Sequence, residues 1–192
     1  MLKNFRFLML ALGLIAAVSS AHGAENGTAA ITVTNSLKDI EIQLARVLKD
    51  HLNINANLSI RGDDSEDLVL KVLFNNNPET GYPQINAVID TRVITFDNEK
   101  NPVNQVISIA SYAAITLMPD TDMQRLEWVN NWNRRSVPLT VYVAGDRIVA
   151  TNKLLLTAKA PMTEGQFAAY FSNTVRYWPA LVKDLKNSGL VE

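Results

Sequence analysis

The sequence predicts an α+β domain: an antiparallel sheet with three helices, ordered as one helix, three to five strands, a second helix, two strands and a third helix. Three observations predict it. Apolar residues repeat at helical spacing after Ser36, then switch to alternation from Leu58 to Leu117. A Gly145-Asp146 pair links two further alternating runs, as in a tight hairpin. A long amphipathic stretch rich in aromatics follows Thr163. Adjacent strands with short links favour an antiparallel sheet, with helices on one face or at its ends.

Each element has its own signature. Residues 24–31 are small and polar and read as a loose leader. Ser36 can cap the first helix, with Asp39 three residues on, where an acid favours a helix start. Leu37, Ile40, Leu44, Val47 and Leu48 form its buried stripe, while Lys38, Glu41, Lys49 and Asp50 lie mostly off it. Leu58 and Ile60 alternate with polar neighbours, and a polar loop over 62–67 follows. Leu68, Leu70, Val72 and Phe74 share one strand face. Residues 75–83, with three Asn, two Pro and Gly81, are turn chemistry. Ile85, Ala87 and Ile89 alternate, and 93–96 continues that strand or starts another. After a loop over 97–102, Ile107, Ile109, Ala113, Ile115 and Leu117 share one face of a long strand. The small residues of its other face predict an element packed closely on top.

Pro119 ends that strand, and Thr121 with Gln124 has the spacing of a capping box. The helix over 122–133 is predicted to turn Met123, Leu126, Val129 and Asn130 inward. Residues 139–144 and 147–156 are the hairpin strands. Thr163 and Gln166 form a second capping box. The last helix carries Phe167, Tyr170, Phe171, Thr174, Tyr177, Trp178, Leu181 and Leu185; Pro179 predicts a kink and Gly189 its end. Tyr170, Tyr177 and Trp178 cannot all be interior. No linker, repeat or low-complexity stretch divides residues 24–192, which read as a single domain.

Residues 1–23 have the three parts of a secretory signal peptide: Lys3 and Arg6, an apolar run from Phe7 to Val18, and small residues ending at Gly23. Cleavage after Ala21 or after Gly23 fits. The run is short of the ~20 residues a membrane span needs. The expectation is a periplasmic or secreted protein, not stably inserted in the membrane once the signal is removed. There is no Cys, so neither a disulfide nor a lipid-modified cysteine anchors the fold. Residues 24–192 carry 16 basic and 19 acidic residues, a net charge near −3. That balance lacks the basic surplus of a nucleic-acid binder.

Chemistry-bearing residues are sparse. His22 belongs to the signal region, and His51 ends the first helix, where it suits the helix dipole. No His pair or Cys offers a zinc site, and no GxSxG motif appears. Asp63, Asp64, Glu66 and Asp67 are the candidate metal cluster, of a kind that could hold Ca²⁺ through oxygens, but they lack the spacing of the twelve-residue calcium loop. An enzyme would have to use two converging carboxylates, Asp90 and Asp97 or members of the 63–67 cluster. The candidate binding residues are Trp128, Asn130, Trp132 and Asn133. They read either as ties between helix and sheet or as a polar and aromatic recognition patch.

The run Trp128-Val129-Asn130-Asn131-Trp132-Asn133, the Gly-Asp hairpin with its Leu-rich second strand, and the aromatic helix from Thr163 resemble the YbjN-type family of bacterial sensory-transduction regulators. The resemblance covers residues 126–185. It implies a fold similar to type III secretion chaperones, and it brings no enzymatic activity or cofactor. Two features depart from the family pattern: Asn152, where an acid is frequent, and the signal peptide.

The functional expectation is an exported, non-enzymatic domain that binds a protein or peptide and pairs as a symmetric homodimer, without cofactor or nucleic acid. The alternatives are a carboxylate-dependent envelope enzyme and a Ca²⁺-stabilised envelope protein.

Overall fold

A computed structural model describes residues 30–61, 64–119, 121–135 and 139–191. The signal segment and the leader up to residue 29 lie outside the described residues. The end of the leader does not stay loose. Ala30–Ile31 forms strand β1, paired antiparallel with a distant strand at Met162–Thr163. Its cause is Ile31, which is fully buried against the core.

Helix α1 (Leu37–Leu52) starts as predicted, with Ser36 Oγ accepting the Asp39 N–H at 3.1 Å. It ends at Asn53, in the left-handed region at φ 54°, a conformation Asn tolerates. Ile40, Leu44, Val47 and Leu48 are buried, and so is Glu41, against expectation. Thr91 meets it there, its hydroxyl donating to Glu41 Oε1 at 3.0 Å, one of the bonds a buried carboxyl group needs.

Strands β2 (Asn57–Arg61), β3 (Asp64–Phe74), β4 (Ile85–Phe96) and β5 (Pro102–Ala113) follow. The predicted loop over 62–67 is shorter than expected. Residues 64–67 already belong to β3, because pairing with β2 extends the strand into the polar run. The stretch from Ile85 to Phe96 is one strand, with a register shift between Val93 and Thr95 that leaves Ile94 as the extra residue. β5 ends at Ala113, earlier than the alternation suggested; Leu117 instead bridges to Val191.

Helix α2 (Asp122–Asn133) leads to the hairpin β6 (Thr140–Ala144) and β7 (Arg147–Thr157). Gly145 sits at φ 61°, the conformation that favours glycine at a tight hairpin. β8 (Met162–Thr163) returns to β1. The last helix is broken in two, α3 (Glu164–Arg176) and α4 (Trp178–Asn187). The break falls two residues before Pro179, which occupies the first turn of α4, where its missing N–H costs nothing. The Thr163 capping box is complete: Thr163 Oγ1 accepts the Gln166 N–H at 3.1 Å, and Gln166 Oε1 accepts the Thr163 N–H at 2.9 Å.

The capping box at Thr121 does not form. The Thr121 hydroxyl is already engaged, donating to the Met118 carbonyl at 2.7 Å and accepting Arg125 Nε at 2.9 Å. α2 is also rotated from its predicted facing. Arg125, Trp128, Val129 and Trp132 are buried, while Met123 and Leu126 are 79% and 51% exposed. Two indole rings remove far more apolar area from water than Met and Leu would, so they take the inner face.

The six-stranded sheet has the order β2-β3-β4-β5-β7-β6, every neighbour antiparallel. Helices cover one face, and the core has two parts there. α1 and α3 bury Leu44, Leu48, Phe167 and Phe171 against Ile89, Ile107 and Ile109. α2 and α4 bury Trp128, Trp132, Trp178 and Leu181 against Val141, Ile148 and Ala150. Trp178 Nε1 donates to Ser111 Oγ at 2.8 Å, and Ser111 Oγ lies 3.1 Å from the Thr174 carbonyl that accepts its proton. Of the three aromatics that could not all be interior, Trp178 is fully buried and Tyr170 is 40% exposed. Among the described residues, no helix is long and apolar enough to cross a membrane.

Candidate binding surface

The face of the sheet opposite the helices is open among the described residues. The small residues of β5 belong to it: Ser108 and Ala110 alternate with the buried Ile107, Ile109 and Ser111. Nothing among the described residues packs closely on them, contrary to expectation. The apolar stripes of all the helices are satisfied on the other face, so none is left to cover this one.

Register lines up the open face in rows. Val88, Ala110, Thr151 and Thr140 stand side by side, as do Asp90, Ser108 and Lys153. Together they floor a trough of about 1090 Å³, with Tyr142 at one end and Ile94 at the other. Its lining keeps large apolar groups in water: Ile94 is 53% and Tyr142 43% exposed. Leu73 and Leu155, elsewhere on the same face, are each more than half exposed. Charge is concentrated on one side. Asp90 lies between two arginines, Arg61 on Oδ1 and Arg92 Nε on Oδ2 at 3.2 Å. The Arg147 guanidinium lies over the Tyr112 ring, 4.9 Å from its centroid.

The residues singled out by sequence take other positions. Trp128 and Trp132 are buried and stacked, with centroids 5.6 Å apart, and Arg135 lies 4.7 Å over Trp132. Trp128 Nε1 donates to Asp184 Oδ2 at 2.8 Å. The Asn133 side chain binds the backbone of Val141 with both its donor and its acceptor. Asn130 is exposed on the outer side of α2. The four residues therefore share a helix but not a surface.

Asp63 lies outside the described residues, as do the side chains of Asp64, Glu66 and Asp67. Among the described residues, no group of three or more His, Cys, Asp or Glu could hold a metal ion. Asp97 accepts the Asn101 N–H at 2.8 Å, the Asn101 side-chain amide at 3.1 Å and the Glu99 N–H at 2.9 Å. Those bonds, the Asn101 ones foremost, hold its carboxyl below the usual range. His51 Nε2 lies 3.3 Å from Glu164 Oε2, and Arg46 pairs with the other oxygen of the same carboxylate at 3.0 Å.

Sequence reasoning missed the trough. By sequence, Asp90 is one of a carboxylate pair with Asp97 and Ser108 is one of the small residues of a strand face, while Arg92 and Lys153 are not singled out. The available signal was the alternation itself: Asp90 and Arg92 sit on the off-beat of an apolar strand, and Leu73 and Leu155 break the rule that the off-beat face is polar.

No family model matches the chain. No curated protein matches it either. Among solved structures, its fold is similar to that of YbjN from E. coli, described as a candidate transcription regulator. The two are 15% identical, with 79% of this chain and 94% of that one covered and a TM-score of 0.47.

Proposed function

We propose that this chain is an exported, non-enzymatic domain that binds a protein or peptide on the open face of its sheet. The observation behind this reading is the trough beside Ser108. A two-layer fold needs only one apolar sheet face, yet this one keeps Ile94 and Tyr142 exposed on the other, in a trough that Arg61, Asp90, Arg92 and Lys153 also line. A trough that joins exposed apolar side chains to a charged rim has the make-up of a polar-rimmed interface. Export is supported by the pattern of residues 1–23.

Photo-crosslinking tests the reading. A photoreactive phenylalanine analogue replaces Ser108 in the trough, or Lys49 on the exposed side of α1 as a control, and is activated in intact cells. A discrete adduct from position 108 and none from position 49 is the expected result. An adduct at twice the chain mass makes a second copy the occupant. Adducts from both positions alike, or from neither, would sink the sheet-face reading. The N-terminus of the purified protein, read by mass spectrometry, tests export: His22 or Ala24 is expected, and an intact Met1 contradicts it.

A further inference from the structure

A second groove lies at the end of the molecule away from the trough's charged rim. Three segments wall it. The first is the turn over 77–82, closed by the Asn77 N–H donating to the Tyr82 carbonyl at 2.8 Å. The second is the stretch 115–119 that leaves β5, held by the Met118 N–H donating to the Leu190 carbonyl at 2.9 Å. The third is α4. The groove measures about 890 Å³ and is open along its length. Its apolar lining includes Tyr82, Ile115, Met118 and Val182. Four of its residues are prolines, Pro78, Pro83, Pro119 and Pro179. Their fixed φ leaves little backbone freedom to lose when a ligand binds, so the groove is preformed.

One lip of this groove is cationic. Lys183 and Lys186 are exposed, three residues apart on α4, and so on one side of it. Neither is in an ion pair with any described residue. The acid on the same helix, Asp184, is turned the other way, accepting from Trp128 Nε1 at 2.8 Å and Arg135 at 3.1 Å. Among the described lining residues there is no Asp or Glu; beside Asp184, the described acid next to them in sequence is Glu79, in the turn that forms the facing lip. Asn76 and Asn187 add side-chain amides that bond to no other described residue and can meet a peptide backbone.

From this arrangement we infer that the groove docks an extended peptide in which acidic and apolar residues alternate. Side chains on α4 three residues apart stand about 5–6 Å from each other. In an extended peptide, every second side chain points the same way, about 7 Å apart. Acids at alternate positions reach Lys183 and Lys186 while the intervening apolar side chains turn to the floor. The open, partly solvated shape suits a peptide; an acyl chain would be better served by an enclosed cavity. This inference stands apart from the sheet-face reading, because the two sites share no residue.

The test is fluorescence anisotropy with the full chain and two labelled pentapeptides, Glu-Leu-Glu-Leu-Glu and Lys-Leu-Lys-Leu-Lys. The acidic peptide is expected to bind saturably, to weaken as salt rises, and to lose at least tenfold in affinity in the Lys183→Glu/Lys186→Glu double variant. Thr116→Trp, which narrows the groove and keeps both lysines, is expected to weaken it as well. Ser108→Trp, in the trough, is expected to leave it unchanged. Equal binding of the basic peptide, equal binding by the charge-reversed variant, or no binding of the acidic peptide overturns the inference. So does binding confined to anionic phosphatidylglycerol vesicles, which would assign the groove to lipid.

Discussion

Asn133 and Val141 are joined twice: the Asn133 Nδ2 donates to the Val141 carbonyl at 2.8 Å, and the Val141 N–H donates to Asn133 Oδ1 at 2.9 Å. A side-chain amide here takes the place that a neighbouring strand's peptide group would take. Asn133→Ala leaves both backbone groups of Val141 without a protein partner and is expected to cost about 1–2 kcal/mol in urea denaturation. Asn133→Asp is expected to be no better at neutral pH, since a carboxylate cannot donate to the carbonyl. An aspartate variant as stable as the native chain would show that the pair contributes nothing.

The Trp178–Ser111 bond joins the broken helix to the centre of the sheet. Ser111→Ala leaves the buried indole N–H without its acceptor, at about 1–3 kcal/mol. Trp178→Ala empties a fully buried site and is expected to cost about 3–5 kcal/mol. Trp178→Phe removes the donor together with part of the volume. The double-mutant cycle of Ser111→Ala with Trp178→Phe is expected to show a coupling of at least ~0.5 kcal/mol. Strict additivity contradicts the bond.

Two glycines are expected to respond in opposite directions. At Gly145, φ is 61° and an added Cβ would meet nothing within 4 Å, so Gly145→Ala carries a purely conformational cost of roughly 1 kcal/mol. At Gly165, in the first turn of α3, φ is ordinary and the space is equally open. Gly165→Ala is expected to stabilise by a few tenths of a kcal/mol. Thermal midpoints of the two variants, moving apart on either side of the native value, check both.

Asp97 gives the fold a pH dependence of definite sign. Its carboxyl is held below the ordinary value of 3.8 in the folded chain. A depressed folded value means stability that is present above the unfolded value and lost as pH falls through the folded one. In Asp97→Ala, the deficit relative to the native chain is therefore expected at neutral pH and to shrink below about pH 4. Parallel stability curves down to pH 2 would remove this assignment.

Much of the fold was legible because its signals are local. The alternation of β3, β4 and β5, the Ser36 cap, the Thr163 capping box and the Gly145 hairpin are all set by residues within a few positions of one another. The misreadings arose where partners are far apart in sequence. Ile31 pairs with Met162, and the buried Glu41 meets Thr91, both far off in sequence. The Thr121 hydroxyl was free for a cap only until Arg125 turned inward. For α2, Arg125, Trp128, Val129 and Trp132 do recur at helical spacing, but the stripe is hidden until a buried arginine is admitted to it. The trough was illegible for the same reason. Asp90, Ser108 and Lys153 are ordinary off-beat residues on three strands, and only the register makes them neighbours.

The bond between Asn133 and Val141 also gives the sheet a direction. β6 is one of its two outer strands and only five residues long, and its outward-facing peptide group at Val141 is already occupied from within the same chain. Stacking of copies edge to edge needs two open borders per molecule, one to receive and one to offer. With that peptide group of β6 already bonded, β2 is the freer border of the six-stranded sheet, and copies meeting there edge to edge close as a pair.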